Sequence, residues 1–203
     1  MPDSMTLDST RLQRLQQVPL WDFALTLYAK PGVEAACLTL QEEAGLDVCE
    51  LLFHCWLYSC GLEAKPAALA HQREQCCFWQ RHVTAVLRRL RRDLKASAAE
   101  RESVAALRET IKQAELMAER ENLQRWQTWV WEASAEEQRV TNISTTISTT
   151  ISTTPPNAAK WLLKQLFSGK SIFKPDDSFT RQESLLRSIQ TLTCQLDPYQ
   201  GAR

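Results

Sequence analysis

Hydrophobic positions along most of the chain recur every three to four residues, which is the period of an amphipathic α-helix. The segment from Asp47 to Gly61 differs, because it is apolar almost all the way round and carries only a narrow polar seam. A helix of this kind must be surrounded by other helices. The sequence therefore predicts an all-α protein, a multi-helix bundle with a buried central helix.

The boundaries of the first helices follow from proline, glycine and aspartate. Pro31-Gly32 ends the helix that begins at Leu20. Asp47 and Glu50 have the spacing of a capping box, and Gly61 lies where a C-cap glycine belongs. The predicted helices cover 20–30, 33–44 and 47–60.

Two longer helices are predicted after Pro66, over about 67–95 and 97–133. On the first helix, apolar side chains fall on one arc at about 100° per residue, and arginines fall on the opposite arc. Ser97 and Glu100 have capping-box spacing, which predicts the start of the second helix. Together these helices predict a long antiparallel helical hairpin.

A repeated tract after Asn142 interrupts the helical pattern. Ile-Ser-Thr-Thr occurs three times from Ile143 to Thr154 and is followed by Pro155-Pro156. Repeated isoleucine and threonine disfavour helix, so we interpret the tract as a low-complexity linker. The predicted organisation is an N-terminal segment at 1–18, a helical core domain at 19–133, a linker at 134–157 and a C-terminal helical appendage at 158–203.

Cysteine usage and the apolar runs indicate where the protein functions. The seven cysteines include no Cys-x-x-Cys pair, and the first residues lack the features of a secretory signal peptide. The longest apolar run, Leu51 to Cys60, is far shorter than the ~20 residues of a membrane span. We therefore expect a cytoplasmic protein with reduced thiols and no membrane association.

Charge is zero overall but unevenly distributed, with seven basic and two acidic side chains over residues 71–95. The basic arc of the first hairpin helix consists of Arg81, Arg88, Arg89, Arg91, Arg92 and Lys95. This arc could hold RNA phosphates or meet an acidic partner, although it lacks aromatic residues for base stacking. We favour a solvated face that is paired with carboxylates of the next helix, such as Glu100, Glu102 and Glu109.

A polar cluster of Glu50, His54 and Tyr58 shares one face of the central helix with Asp47. One interpretation is a cleft in which Glu50 orients His54 as a general base. The interpretation that we favour is a solvent-facing edge of a buried helix. No nucleophile accompanies the cluster, and the histidines and cysteines of 71–82 are too widely spread to bind zinc. We therefore expect no enzyme activity, no metal and no cofactor.

Three tryptophans crowd the end of the second hairpin helix, namely Trp126, Trp129 and Trp131. An exposed tryptophan would anchor a partner, whereas neighbouring helices could also cover these rings, and the sequence leaves both outcomes open. The leading hypothesis is a non-enzymatic protein-interaction or adaptor module that binds an unknown protein partner or itself. The alternatives are a nucleic-acid-associated factor that uses the basic face of 81–95, and a small enzyme that uses Glu50 and His54.

Residues 21–33 follow the pattern Trp-x-Phe-x-Leu-x-Leu-Tyr-x-x-Pro-Gly-Val. This pattern resembles a bacterial family of small cytoplasmic helical proteins of unknown function. The likeness continues through the hairpin and covers about residues 20–130. It implies a helical domain over this range and assigns no functional residue.

Overall fold

The computed structural model describes residues 13, 15–133, 139–143, 158–167 and 178–196. Over these residues the protein is an all-α multi-helix bundle with a small two-stranded sheet, which confirms the predicted fold class. The elements in chain order are α1 (Leu20–Tyr28), α2 (Val33–Ala44), α3 (Val48–Ser59), β1 (Leu62–Ala64), α4 (Pro66–Trp79), a π-helical turn (Gln80–Thr84), α5 (Ala85–Asp93), α6 (Lys95–Glu100), α7 (Glu102–Trp131), β2 (Val140–Asn142), α8 (Ala158–Phe167) and α9 (Phe179–Thr193).

The described residues form two compact units. The first unit consists of the described residues within Met1–Leu69 and Ala133–Arg203, and the second unit is Ala70–Glu132. These units divide the chain at different points from the predicted core domain at 19–133 and appendage at 158–203. Most of the predicted N-terminal segment at 1–18 lies outside the described residues.

The central helix of the first unit is α3, as the apolar run predicts. Its N-terminus is capped by Asp47, whose carboxylate accepts hydrogen bonds from the backbone N–H groups of Cys49 and Glu50 at 2.8 and 3.2 Å. Gly61 follows the last turn with φ of 72°, a left-handed conformation that favours glycine. Every residue from Leu51 to Tyr58 is buried, because α1, α2, α8 and β1 pack around this helix.

The two C-terminal helices belong to the first unit, where α8 packs on α3 and α9 packs along α2. The approach of α9 to the start of α2 is close, since a Cβ atom on Gly32 would lie 3.1 Å from Cγ2 of Thr191. The ammonium group of Lys30 donates a hydrogen bond to the carbonyl oxygen of Gln195 at 3.0 Å. The described parts of the predicted appendage are therefore integral to this unit.

The small sheet joins a segment that the sequence assigns to the linker. β1 and β2 are antiparallel, and Leu62, Glu63 and Ala64 lie opposite Asn142, Thr141 and Val140. Three-residue strands are too short to show an alternating pattern, so the sequence does not predict them. The remaining linker residues that follow, 144–157, lie outside the described residues.

The second unit contains the predicted antiparallel hairpin, in which α5 and α6 pack against α7. Its first arm is not the continuous helix predicted over 67–95, because the π-helical turn at Gln80–Thr84 separates α4 from α5. A π turn inserts extra residues into the helical repeat, so the face of α4 does not continue in phase along α5. The indole N–H of Trp79 donates to the carbonyl oxygen of Ala118 at 2.9 Å and ties the two arms together.

The corner of the hairpin differs from the predicted capping box. Ser97 and Glu100 both lie inside the short helix α6, and α7 begins only at Glu102. The break falls at Arg101, whose backbone is extended, with φ of −138° and ψ of 119°. Alanines within α6 favour helix, so the chain stays helical around the corner and the capping-box spacing does not mark the start of the long helix.

Candidate functional site

The contact between α5 and α7 has two chemically different sides. Glu115 on α7 and Arg91 on α5 bond to each other and mark the line where the helices meet. At about 100° per residue, Glu119 lies about 40° to one side of Glu115, and Arg88 lies about 60° to one side of Arg91. In an antiparallel pair, equal directions of rotation lead to the same side of the hairpin. This side is therefore charged, and the bond from Arg88 to Glu119 agrees with it.

The opposite side of the same hairpin is apolar. Leu107, Ile111 and Ala114 lie about 80°, 40° and 100° from Glu115 in the other direction, and Leu87, Leu90 and Leu94 lie about 40° to 100° from Arg91 in that direction. Up to about 140° from the contact line, this side carries no charged residue over the described stretches from Ala85 to Leu94 and from Ser103 to Ala114, and Asp93 lies just beyond it, about 160° from Arg91. The apolar side is defined as Val86, Leu87, Leu90, Leu94, Ser103, Leu107, Thr110, Ile111 and Ala114.

Burial along the apolar side is incomplete. No side chain in the described stretch from Ala85 to Glu100 is buried, although α5 has apolar residues at helical spacing. Leu90 is 45% exposed and Leu107 is 52% exposed. Apolar groups of this size gain free energy when they are removed from water. The hairpin therefore presents an apolar surface that its own two helices do not cover.

The charged side accounts for two members of the basic arc. The Nε of Arg88 lies 2.8 Å from Oε1 of Glu115, and a terminal nitrogen of Arg88 lies 2.7 Å from Oε1 of Glu119. The Nε of Arg91 lies 2.5 Å from Oε2 of Glu115. Arg88 and Arg91 are thus paired with the next helix through Glu115 and Glu119, two carboxylates that were not among those named from the sequence. The π-helical turn and the corner helix set the register of the two arms, and neither was predicted.

The ion pairs change the acidity of both carboxyl groups. Burial raises the pKa of Glu115, but hydrogen bonds from Arg91 and Arg88 outweigh burial and hold its pKa below the usual value. For Glu119, burial outweighs the attraction of Arg88 and leaves the pKa raised. Glu115 is therefore the carboxylate whose ionised form the hairpin stabilises.

The other basic residues remain at the surface. The exposed members of the basic arc are Arg81, Arg89, Arg92 and Lys95. A terminal nitrogen of Arg81 lies 3.4 Å from the sulfur of Cys77, one turn earlier. The charge that the basic arc offers to a partner is thus smaller than the sequence indicates, because Arg88 and Arg91 are engaged within the hairpin.

The three tryptophans at the end of α7 separate into two groups. Trp126 is 1% exposed, and its ring lies edge-on to the buried ring of Trp129 with 6.3 Å between centroids. Trp131 is 45% exposed. Trp126 and Trp129 therefore act as core residues in this structure, and Trp131 is the member that a partner can reach.

His54 and Tyr58 of the polar cluster on α3 are buried and Glu50 is half-buried, so the expectation of a solvent-facing edge is wrong for the histidine and the tyrosine. His54 and Tyr58 have almost no exposed surface, and the Nε2 of His54 lies 3.5 Å from Oε1 of Glu50. Trp161 of α8 covers them, with ring centroids 4.7 Å from Tyr58 and 6.3 Å from His54. The indole N–H of Trp161 donates to Oε2 of Glu63 at 3.0 Å.

Trp161 and Glu63 were missed because nothing in the local sequence links them to the cluster. They stand 98 positions apart, and only the packing of α8 on α3 brings them together. A substrate would have to displace Trp161 to reach His54. The geometry therefore favours a structural role for the cluster over the general-base interpretation.

The first unit also contains buried thiols and a surface groove. Burial raises the pKa of Cys37 to about 12, and burial also raises the pKa of Cys55, so neither thiol is a reactive thiolate. An open groove of about 430 Å³ lies between α2 and α9. Its charged lining residues, Glu183 and Arg187, bond to each other at 2.6 Å. The described residues hold no group of three or more side chains placed to bind a metal ion.

The fold and these surfaces define an all-α helical-bundle protein. The sequence profile of a family described as protein of unknown function, DUF2390, matches residues 19–126. The match covers more than half of the chain, and the chain therefore belongs to this family. No curated protein and no solved structure gives a significant match. Within the described residues, every helix is either too short or too polar to cross a membrane.

Proposed function

We propose that this protein is a non-enzymatic interaction module that binds another macromolecule through the apolar side of its hairpin. The observation that carries this proposal is the lack of any buried side chain from Ala85 to Glu100, while Leu90 and Leu107 are about half exposed. Contiguous exposed apolar surface on a helix is typical of contact sites between proteins.

Apolar docking fits this surface better than charge recognition does. The arginines nearest to the contact line, Arg88 and Arg91, are held by Glu115, and the apolar side has no charge among its described positions. Apolar burial would then supply the affinity, and the exposed cations of the basic arc, which lie outside the apolar side, would influence the rate of encounter and the choice of partner.

The test is affinity capture of the full chain from its native host. We expect the variant Leu90→Glu/Leu107→Glu to lose partners that the wild type retains, because carboxylates would be buried without counter-charges. Ala105→Glu/Leu116→Glu is the matched control, since both residues are exposed and lie about 80° and 100° from Glu115 in the direction of the charged side. Equal circular dichroism spectra would show that both variants fold. Equal capture by both variants would contradict the proposal.

A nucleic-acid-associated factor is the second candidate, supported by the exposed cations of the basic arc. The variant to test is Arg89→Gln/Arg92→Gln/Lys95→Gln, which leaves Arg88 and Arg91 in place to maintain the hairpin. Nucleic-acid binding would weaken steeply as salt concentration rises, and the variant would reduce that salt dependence. Binding that is unchanged in the variant would argue against this candidate.

The third hypothesis, an enzyme that uses Glu50 and His54, has the least geometric support because Trp161 covers the cluster. The variant His54→Ala tests it. Loss of a phenotype in a variant that still folds would support an enzyme, and an unchanged phenotype would contradict it.

The proposal places the protein in a bacterial cytoplasm. Its support is the resemblance over residues 21–33 and the thiol form of the seven cysteines, which all lie in the described part of the chain and form no disulfide there. Reduced thiols are usual in the cytosol. Fractionation of the native host with an antibody to the full chain would test this location.

A further inference from the structure

We infer that a second copy of this chain covers the apolar side, so that two hairpins pack against each other as a four-helix bundle. This inference rests on the proposed function, because it names the occupant of the same surface. The hairpins would be related by a twofold axis, and each apolar side would lie against its symmetry mate.

The first argument is that two helices alone cannot enclose the apolar residues of this hairpin. Leu87, Leu94 and Ile111 are half-buried, and Leu90 and Leu107 are more exposed. In a four-helix bundle, residues at these spacings point toward a shared centre and are buried by the two opposite helices. A second hairpin would therefore bury the apolar residues that the first hairpin leaves exposed.

The second argument concerns charge. In a twofold interface each residue lies near its own counterpart, so any charged residue close to the axis faces an identical charge. The apolar side contains only aliphatic residues, alanine, Ser103 and Thr110 among its described positions. It can meet its own copy without repulsion, whereas an acidic or basic partner would find no complementary charge there.

The third argument is the size of the surface. The stretch from Ser103 to Ala114 runs about 18 Å along α7 at about 1.5 Å per residue, and the hairpin is two helices wide. This corresponds to several hundred Å² per copy, which is smaller than the roughly 800 Å² per partner that stable complexes bury and is in the range of weak, transient interfaces. We therefore expect a reversible dimer whose population rises with concentration.

Sedimentation velocity of the purified full chain tests the dimer directly, since one chain has a mass of 23.2 kDa. We expect the wild type to shift toward twice this mass as concentration rises. Leu90→Glu/Leu107→Glu should raise the dissociation constant by at least about a hundredfold, because each carboxylate would be buried beside its own copy. Ala105→Glu/Leu116→Glu, on the charged side, should associate like the wild type. Equal association of both variants would exclude this surface as the interface.

Site-specific cross-linking tests which side forms the contact. The exposed thiols Cys77 and Cys194 are first replaced by serine. In that background Thr110→Cys places a thiol on the apolar side, and Ala105→Cys places one about 140° away, on the charged side of the same helix. A short bismaleimide should join two chains through position 110 and not through position 105. Equal cross-linking at both positions, or none at either, would overturn the inference.

The two proposals fail in different ways. A chain that stays monomeric at all concentrations, but whose captured partners are lost in Leu90→Glu/Leu107→Glu, refutes the second copy and leaves the proposed function intact. A monomeric chain whose variants capture the same partners as the wild type refutes both.

Discussion

Helices α3 and α5 show two ways in which a strongly patterned helix meets its surroundings. In the first unit, α3 is apolar nearly all round, and every residue from Leu51 to Tyr58 is buried by helices of the same chain. In the second unit, α5 separates apolar and basic residues sharply, yet none of its described residues is buried. Amphipathicity thus identifies a face that gains from burial, but it does not identify which molecule provides the cover.

The largest difference expected between the two units is in the reactivity of their buried and exposed thiols. Cys37 and Cys55 lie in the core of the first unit, whereas Cys77 of the second unit is exposed. With the pKa of Cys37 at about 12, its thiolate is scarce at neutral pH, and access is blocked as well. We expect Cys77 to react with a maleimide at least about a thousandfold faster than Cys37.

Mass spectrometry of digested, labelled protein measures both rates in one sample. Labelling in denaturant, where all seven cysteines should react, is the control for reagent access. Similar native rates at Cys37 and Cys77 would show that the core of the first unit opens readily.

Truncation of a large side chain should lower the free energy of unfolding more on α3 than on α5. Trp56 is fully buried, and its indole N–H donates to the carbonyl oxygen of Val18 at 2.9 Å. We expect Trp56→Ala to lower the free energy of unfolding by about 3–5 kcal/mol, because it leaves a large cavity. Leu90→Ala on α5 should lower it by less than about 1 kcal/mol in the monomer. Urea unfolding at low protein concentration measures both, and equal losses would remove the distinction.

The ion pairs of the hairpin should contribute less than the core and should depend on pH. Glu115→Gln removes the negative charge that Arg88 and Arg91 share, and we expect a loss of about 1–3 kcal/mol. Glu109→Gln is the control, since Glu109 is an exposed residue paired with Lys112 on its own helix, and its removal should cost little.

The direction of the pH effect follows from the lowered pKa of Glu115. Above the unfolded value of about 4.5 the carboxylate is ionised in both states, and its full contribution to stability is present. As the pH falls through the lower, folded pKa, the unfolded state binds the proton first and the contribution is lost. Wild type and Glu115→Gln should therefore converge in stability at acidic pH, and a gap that persists there would contradict this origin.

The smallest effect is expected from shortening the repeated tract. Deletion of Ile147–Thr154 removes two of the three repeats and leaves Ile143, whose backbone N–H donates to the carbonyl oxygen of Gly61 at 3.0 Å. Loop length changes the closure entropy only slowly, so the melting temperature should change by no more than about 2 °C. Deletion of Val140–Asn142 would remove β2 and should lower it clearly. A large loss from the first deletion would show that the repeats belong to the fold.

Features with a local cause were predictable from the sequence. Asp47 caps α3 because its carboxylate reaches backbone N–H groups within three residues, and the two arms of the hairpin follow from helical spacing. The basic arc was predicted in part: its pairing with the next helix was expected, but Glu115 and Glu119 were not. The register of the arms depends on the π-helical turn, and no residue type in Gln80–Thr84 indicates such a turn.

By itself, the sequence determined the helical class, the buried character of α3, the cap at Asp47 and the apolar arc of the hairpin. These features depend on periodicity and on interactions between residues a few positions apart, so they can be identified from the sequence alone. Only the tertiary structure decided that Trp161 covers His54, that β2 pairs with β1 and that Arg88 binds Glu119. Those contacts join distant positions, because burial of apolar surface selects a packing that no local pattern specifies.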